Sequence, residues 1–511
     1  MGGTGLVLGL IVLGLMSVPI GDRLRIPGPI VAALFGVLLA LIPGTAEFEF
    51  PPEAILPLVL PPLLYTAAWQ SSWQRFVKGW RPIVALAVAL VFVTTAAVAA
   101  VASRIHPALP LGAAVVLGVI CAPPDPAAIT VMARRLRLPR RLVTLLEGEG
   151  LFNDVTALTL YQVAVAGVIT GSLSWWSAAG SFVYSGVAGV AIGLVVAIIF
   201  NRLSNRFGGA QVRAGLSLLL PYSAYLVAEE MGASGVLAVL VAGFWISHRR
   251  RDPDEVEERL YGRSFWEVVQ VLVTGFTFGL VGLEFVTVAA DIGERAWGYV
   301  GSALVICVVL IVVRFAWMFG AVGLMRYRHR RVEDPEVPHG WRETVLVAWA
   351  GMRAVVTVAT ALALPAAFPQ RSQVIFVALL VALVTLLVPG ITLPWLVKRL
   401  GLNTGQEHRD AAKAQVIEAA TDAVLEYLHR LRIDGEITGE QENRLAIWWR
   451  GTLVDEDDEE LSTRYPQRQK LKEIHAEMLT AARAATLKMR PVEPEAADEL
   501  LRDLDLRTAA A

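Results

Sequence analysis

The sequence predicts an all-α membrane protein of about thirteen transmembrane helices. They form two inverted six-helix repeats with interrupted crossing helices, and a cytoplasmic helical tail follows. Three observations predict this. Of the 511 residues 55% are hydrophobic, and they gather into long apolar runs, more than a soluble chain of this size carries. Basic residues collect in every second loop between those runs. Two of the runs are interrupted at positions seven spans apart.

The apolar runs fall near residues 4–20, 28–43, 54–70, 82–103, 109–133, 141–170, 177–200, 214–230, 232–247, 265–284, 296–325, 343–364 and 372–397. Lengths of about 16–30 residues suit spanning helices, some of them tilted. The first run has no basic segment before it and no small-residue cleavage site after it, so it reads as a retained helix. The two cysteines, Cys121 and Cys307, each lie inside an apolar run, which leaves no disulfide framework and no metal-ligand spacing. Net charge is −1, and nothing in the balance points to nucleic acid.

The loops set the orientation. One series carries Arg23 and Arg25; Arg75, Lys78 and Arg81; Arg134 through Arg141; Arg202, Arg206 and Arg213; Arg249 through Arg263; Arg326 through Arg342; and Lys398 and Arg399. The alternate series has only Arg104, Arg295 and Arg371, with acids such as Glu47, Glu49 and Asp291. Positive residues stay inside, which predicts an outside N-terminus, an inside C-terminus and an odd number of spans in the plasma membrane.

Span five contains Pro123, Pro124 and Pro126 around Asp125. Prolines so close cannot continue a regular helix, because each lacks an N–H and clashes with the preceding turn. Open backbone at that depth is tolerated only where it is buried in protein or lines a cavity. Span twelve contains Gly351 beside Arg353, a weaker break. Both fall in the fifth helix of a repeat if spans 1–6 and 8–13 are the repeats. A matched pair of interrupted helices in inverted halves points to the central site of a transporter.

Span six carries Glu147, Glu149 and Asp154 within eight residues. Ionisable groups at bilayer depth are costly and are functional candidates by default. Asp154, next to Asn153, is read as a site for a proton or a small cation in turn: burial favours the protonated form, and a hard cation prefers oxygen ligands. Asp125 has two readings, a cap on the second half-helix and a cation ligand. Glu149 and Arg353 are each too costly to leave alone and are paired with one another. Glu147 is expected nearer the cytoplasmic mouth, hydrated. Arg314 in span eleven has no obvious local partner; an acid or a helix C-terminus would suit it. Glu229, Glu230 and Glu284 are read as surface groups at the outer ends.

Three segments in order resemble the sodium/proton exchangers, the electroneutral branch of the monovalent cation:proton antiporter superfamily, and bacterial antiporters within it. They are Leu60 to Trp69; Pro123 to Ala128 with Glu147 to Asp154; and Trp349 to Val356. The resemblance covers roughly residues 5–400. It implies an inverted-repeat fold, a homodimer and elevator-like alternating access. It makes Asp154 the shared proton and cation site and matches Asp125 to the aspartate of the crossed helix. It assigns Glu149 and Arg353 to a structural ion pair. Asn153 stands where electrogenic relatives have a second aspartate, which fits one proton for one cation. The chain departs from the family at Thr66, where an acid is common, at Pro124, where a threonine is, and at Gly150, where a serine is. Thr66 keeps a hydroxyl and a carbonyl as oxygen ligands, and cation preference is not carried over.

The expected activity is therefore secondary antiport of sodium against protons, with no cofactor and no enzymatic reaction; Na⁺ and H⁺ are cargo, with K⁺ and Li⁺ as alternatives. A potassium/proton antiporter of the same fold is the first rival. A cation channel is a second, although no four-fold pore-loop signature is present. An intramembrane hydrolase using Asp125 and Asp154 is a third. The boundary between the transmembrane domain, 1–400, and the cytoplasmic region, 405–511, follows from the loss of spanning runs and the acidic balance of the tail, 15 basic against 23 acidic residues. Ala411 to Leu431 and Leu471 to Met489 have helical apolar spacing, and Asp455 to Glu460 is read as a solvated acidic run.

Overall fold

The computed structural model describes residues 3–24, 26–42, 50–70, 88–107, 109–124, 138, 140–171, 175–207, 210–249, 256–328, 340–351, 355–402, 405–452, 468–490 and parts of 492–504. All regular structure among them is helical. Asp125, Arg353, Arg75, Lys78, Arg81 and the acidic run 455–460 lie outside the described residues.

The helices are α1 (Gly3–Leu24), α2 (Gly28–Ala40), α3 (Pro52–Gln70), α4 (Leu90–Ile105), α5 (Leu111–Cys121), α6 (Arg140–Thr170), α7 (Trp175–Arg206), α8 (Ala210–Glu230) and α9 (Gly235–Arg249). Then come α10 (Val256–Ile292), α11 (Ala296–Arg328), α12 (Trp341–Trp349), α13 (Val355–Leu362) and α14 (Arg371–Leu400). Three more follow, α15 (Gly405–Ile433), α16 (Gly439–Thr452) and α17 (Arg468–Met489). Residues 1–251 with 265–403 form one compact unit, and 252–264 with 404–511 form another. The segment 252–264 therefore groups with the tail, which a boundary drawn at residue 405 leaves out.

By length and hydropathy alone, four stretches among the described residues can cross a bilayer: Gly5–Leu24, Val183–Arg206, Phe265–Ala321 and Arg371–Leu400. Gly28–Ala40, Leu90–Ile105, Leu111–Cys121 and Gly235–His248 are apolar but shorter. The long helix α6 carries its charges inside the run, which lowers its hydropathy. Together with the family assignment below, these helices make the chain a multi-pass membrane protein.

Packing repeats at an interval of seven spans when α12 and α13 are counted as the two halves of one interrupted span. In the first unit α1 packs on α2 and α8 on α9; α4 packs on α5 and α11 on α12; α5 packs on α6 and α13 on α14. Helix α9 lies against α3, and α2 lies against α10, where a Cβ on Gly36 would come within 1.9 Å of the Gly279 carbonyl. Glycine lets these backbones meet, as small residues do between membrane helices generally.

Prolines act differently in two places. Helix α3 continues through Pro57, Pro61 and Pro62. Pro62 cannot donate to the Leu58 carbonyl, four residues back, and Tyr222 on α8 donates its hydroxyl there instead (3.3 Å). Helix α5, by contrast, ends just before its prolines, with the Ala122 N–H bonded to the Val119 carbonyl. The second break lies where expected: α12 stops at Trp349, Ala350 and Gly351 leave the helix, and α13 is described from Val355.

The second unit has an apolar core of its own. Val416, Ala420, Val424 and Leu428 line one face of α15 and pack with Trp449 of α16 and with Met478, Leu479 and Ala482 of α17. Helix α16 was not expected from the sequence. Its start is a capping box: the Gln441 N–H donates to Thr438 Oγ1 (3.3 Å) and the Thr438 N–H to Gln441 Oε1 (2.8 Å).

Candidate ion-binding site

Residues 149 and 153 are four apart on α6 and so share a face. That face meets both breaks. Asn153 is fully buried, and its Nδ2 donates to the Pro124 carbonyl (3.1 Å), just past the end of α5. A carbonyl can only accept, so the amide nitrogen must face it and Oδ1 must face away. That Oδ1 is buried and has no hydrogen-bond partner among the described residues. Asp154, one residue on, is 6% exposed.

Glu149, 1% exposed, accepts two hydrogen bonds from Arg314 of α11, Nη1 to Oε1 at 2.6 Å and Nη2 to Oε2 at 2.9 Å. Among the described residues Glu149 pairs with Arg314; the expected pairing of Glu149 with Arg353 lies outside them, as Arg353 itself does. The guanidinium suits the role because its planar fork matches a carboxylate on two bonds. Arg314 also donates from Nε to the Ala348 carbonyl (3.0 Å) and from Nη2 to the Val347 carbonyl (3.3 Å). Those carbonyls belong to the last turn of α12, where helix ends carry unsatisfied acceptors and partial negative charge. Arg314 thus neutralises an acid and caps a helix C-terminus at once, the two roles the sequence suggested for it as alternatives.

Gly351 makes room for this. A Cβ there would lie 2.1 Å from Arg314 Nε and 2.5 Å from its Cζ. We expect Gly351→Ala to push the guanidinium off Glu149 and cost about 1–3 kcal/mol, the usual range for overpacking a tight interior. Thermal unfolding in detergent checks this; an unchanged midpoint contradicts it.

Thr66 is buried on α3, which packs on α6 and α13, and its hydroxyl donates within its own helix to the Leu63 carbonyl (2.8 Å). Glu147 lies in α6, but its side chain is outside the described residues. A residue the sequence reading missed is Thr357, 1% exposed on α13, whose Oγ1 has no hydrogen-bond partner among the described residues. A hydroxyl shortly after a mid-membrane break was the available signal. Among the described residues no cluster of three His, Cys, Asp or Glu side chains forms a metal site.

Two of the three expected surface acids have specific partners. Glu284 faces Arg371 at 3.7 Å. Arg371 also donates from Nε to the Leu364 carbonyl (2.9 Å), just beyond α13. Glu229 accepts from Gln162 of α6.

Comparison with known proteins agrees with this layout. An uncharacterized Na(+)/H(+) exchanger of Mycobacterium tuberculosis is 33% identical over 443 residues, covering 83% of this chain and 81% of that protein. An uncharacterized Na(+)/H(+) exchanger of Escherichia coli strain K12 is 29% identical and covers 95% of this chain, tail included, and 94% of its own length. A Bacillus subtilis protein named as a sodium, potassium, lithium and rubidium/H(+) antiporter is 30% identical over 72% of this chain and 57% of its own length. The fold is similar to that of the sodium proton antiporter MjNhaP1 from Methanocaldococcus jannaschii, with a TM-score of 0.61 and 19% identity over 79% of this chain and 99% of that one. The profile of the transmembrane sodium/hydrogen exchanger family matches residues 7–399, and the chain belongs to that family.

Proposed function

We propose that this chain is a plasma-membrane secondary antiporter that exchanges one monovalent cation, sodium foremost, for one proton. The observation that carries the reading is the face of α6. A buried Asn153–Asp154 pair sits beside the end of α5, while the neighbouring acid, Glu149, is neutralised by Arg314. Asp154 then holds a proton or a cation in turn. The moving part crosses the bilayer only when that carboxylate is neutral, because a bare charge at this depth is too costly. Asn153 removes the second acid that a two-charge site would need, so the exchange is electroneutral. Its buried Oδ1 supports a place among the cation's ligands. Asp125 stays a proposed ligand or helix cap.

Packing that repeats at an interval of seven spans, with α12 and α13 as halves of one, supports thirteen spans in two inverted repeats, and the basic loops support an outside N-terminus and a cytoplasmic C-terminus. The homodimer belongs to this reading through the family resemblance. The second reading, potassium/proton exchange, is favoured by the breadth of cations in the Bacillus relative's name. Proteoliposomes loaded in turn with Na⁺, Li⁺, K⁺ and Rb⁺ separate the two. Proton flux driven most strongly by Na⁺ is the expected result; flux driven by K⁺ with none by Na⁺ selects the rival.

A further inference from the structure

One polar contact outside the ion site joins α6 to the α8–α9 hairpin. Gln162 Nε2 donates to both oxygens of Glu229, at 3.1 and 3.2 Å. Glu229 lies in the last turn of α8 and also accepts from the N–H of Gly235, the first residue of α9 (3.3 Å). The carboxylate is thus fixed on the hairpin side by a helix N-terminus, which favours an anion. Among the described residues Gln162 is the partner from α6, two turns and about 12 Å along the helix from Asp154.

The apolar packing around this contact is uneven. Among the described residues helix α6 packs more extensively on α5 than on α3 or α9. Among the described side chains of α6, Leu158 and the half-buried Val155 join the cluster built by α3, α7, α8 and α9. Interdigitated cores resist sliding, whereas a thinly packed seam closed by a hydrogen bond can open and re-form. On opening, Glu229 keeps its bond to α9 and gains water, and Gln162, already exposed, is hydrated. Neither group is left buried without a partner, so the contact is reversible.

We propose that the Gln162–Glu229 bond is a latch across this seam, which holds the Asp154-bearing helix on the hairpin in one transport state and breaks in the other. The inference rests on the antiport reading above. Both side chains are positioning residues: they act on the equilibrium between states and do not touch the ion. The latch lies at the end of α6 away from the basic loops, so it closes the outer side.

The test is a reversible cross-link. Gln162→Cys and Glu229→Cys are combined in a Cys121→Ser, Cys307→Ser background, reconstituted, and bridged with a short bis-methanethiosulfonate. Cation-driven proton flux is expected to fall at least about tenfold on cross-linking and to return on reduction. Undiminished flux in the cross-linked protein overturns the latch, and so does failure of the pair to cross-link at all. Absence of flux in the unsubstituted protein is a different result: it sinks the antiport reading, and the latch with it. A second variant, Gln162→Leu, reads the same equilibrium without a cross-link. Loss of a hydrogen bond to a charged group shifts a two-state balance by about tenfold. The apparent KM for cation offered from the outer side should therefore drop several-fold while protein yield is kept. An unchanged KM, or equal loss of yield and kcat, marks a merely structural contact and overturns the proposal.

Discussion

Asp154→Asn abolishes cation-driven proton flux while the protein still folds and inserts. Asparagine nearly matches aspartate in shape but neither releases a proton at physiological pH nor supplies a negative charge to a cation. The site then stays permanently neutral, and no exchange can be driven through it. Flux in everted vesicles, set beside a monodisperse elution profile in detergent, is the measurement. The expected loss is total, below detection at any cation concentration. Retained exchange would remove Asp154 from the centre of the mechanism.

Arg314→Leu has the second largest effect, and it acts on stability. It leaves Glu149, which is 1% exposed, without its cation and strips a donor pair from the end of α12. Breaking a buried ion pair from one side costs about 3–5 kcal/mol, because the remaining charge is uncompensated. The double variant Arg314→Leu, Glu149→Leu removes both charges and should recover much of the loss, since a buried pair contributes little net stability over apolar side chains. Unfolding midpoints of the two single variants and the double variant make the cycle. A double variant as unstable as the worse single one would mean that Arg314 matters mainly as the cap on α12.

The pairing of Arg314 with Glu149 shows what a local sequence pattern does not carry. The octet Glu147 to Asp154 announces itself, since acids inside an apolar run demand partners. Which partner they find is a matter of helix packing. Arg314 lies 165 residues from Glu149, and what brings it there is the packing of α11 on α12 and the space left by Gly351. Gly351 carried a signal that went unread: a glycine at a helix break makes room for something, and the occupant came from another span.

Prolines divide the same way. Three prolines inside α3 read as a hazard, yet Tyr222 restores the acceptor that Pro62 leaves open. No local pattern foretells a donor 164 residues away. In the tail, the apolar faces of α15 and α17 were legible because each recurs over several turns. Helix α16 is shorter, and its signature was the Thr438 to Gln441 capping box, a chemical signal and not a periodic one.

The competition of proton and cation for one carboxylate is tested most directly by the apparent KM for cation in proteoliposomes, measured across pH with the transport current recorded in parallel. If Asp154 takes one or the other, protons act as competitive inhibitors. In the acid range KM should then rise about tenfold for each unit fall in pH, with maximal flux preserved and no net current. A KM independent of pH, or a current that tracks the flux, would contradict a single carboxylate shared by one proton and one cation.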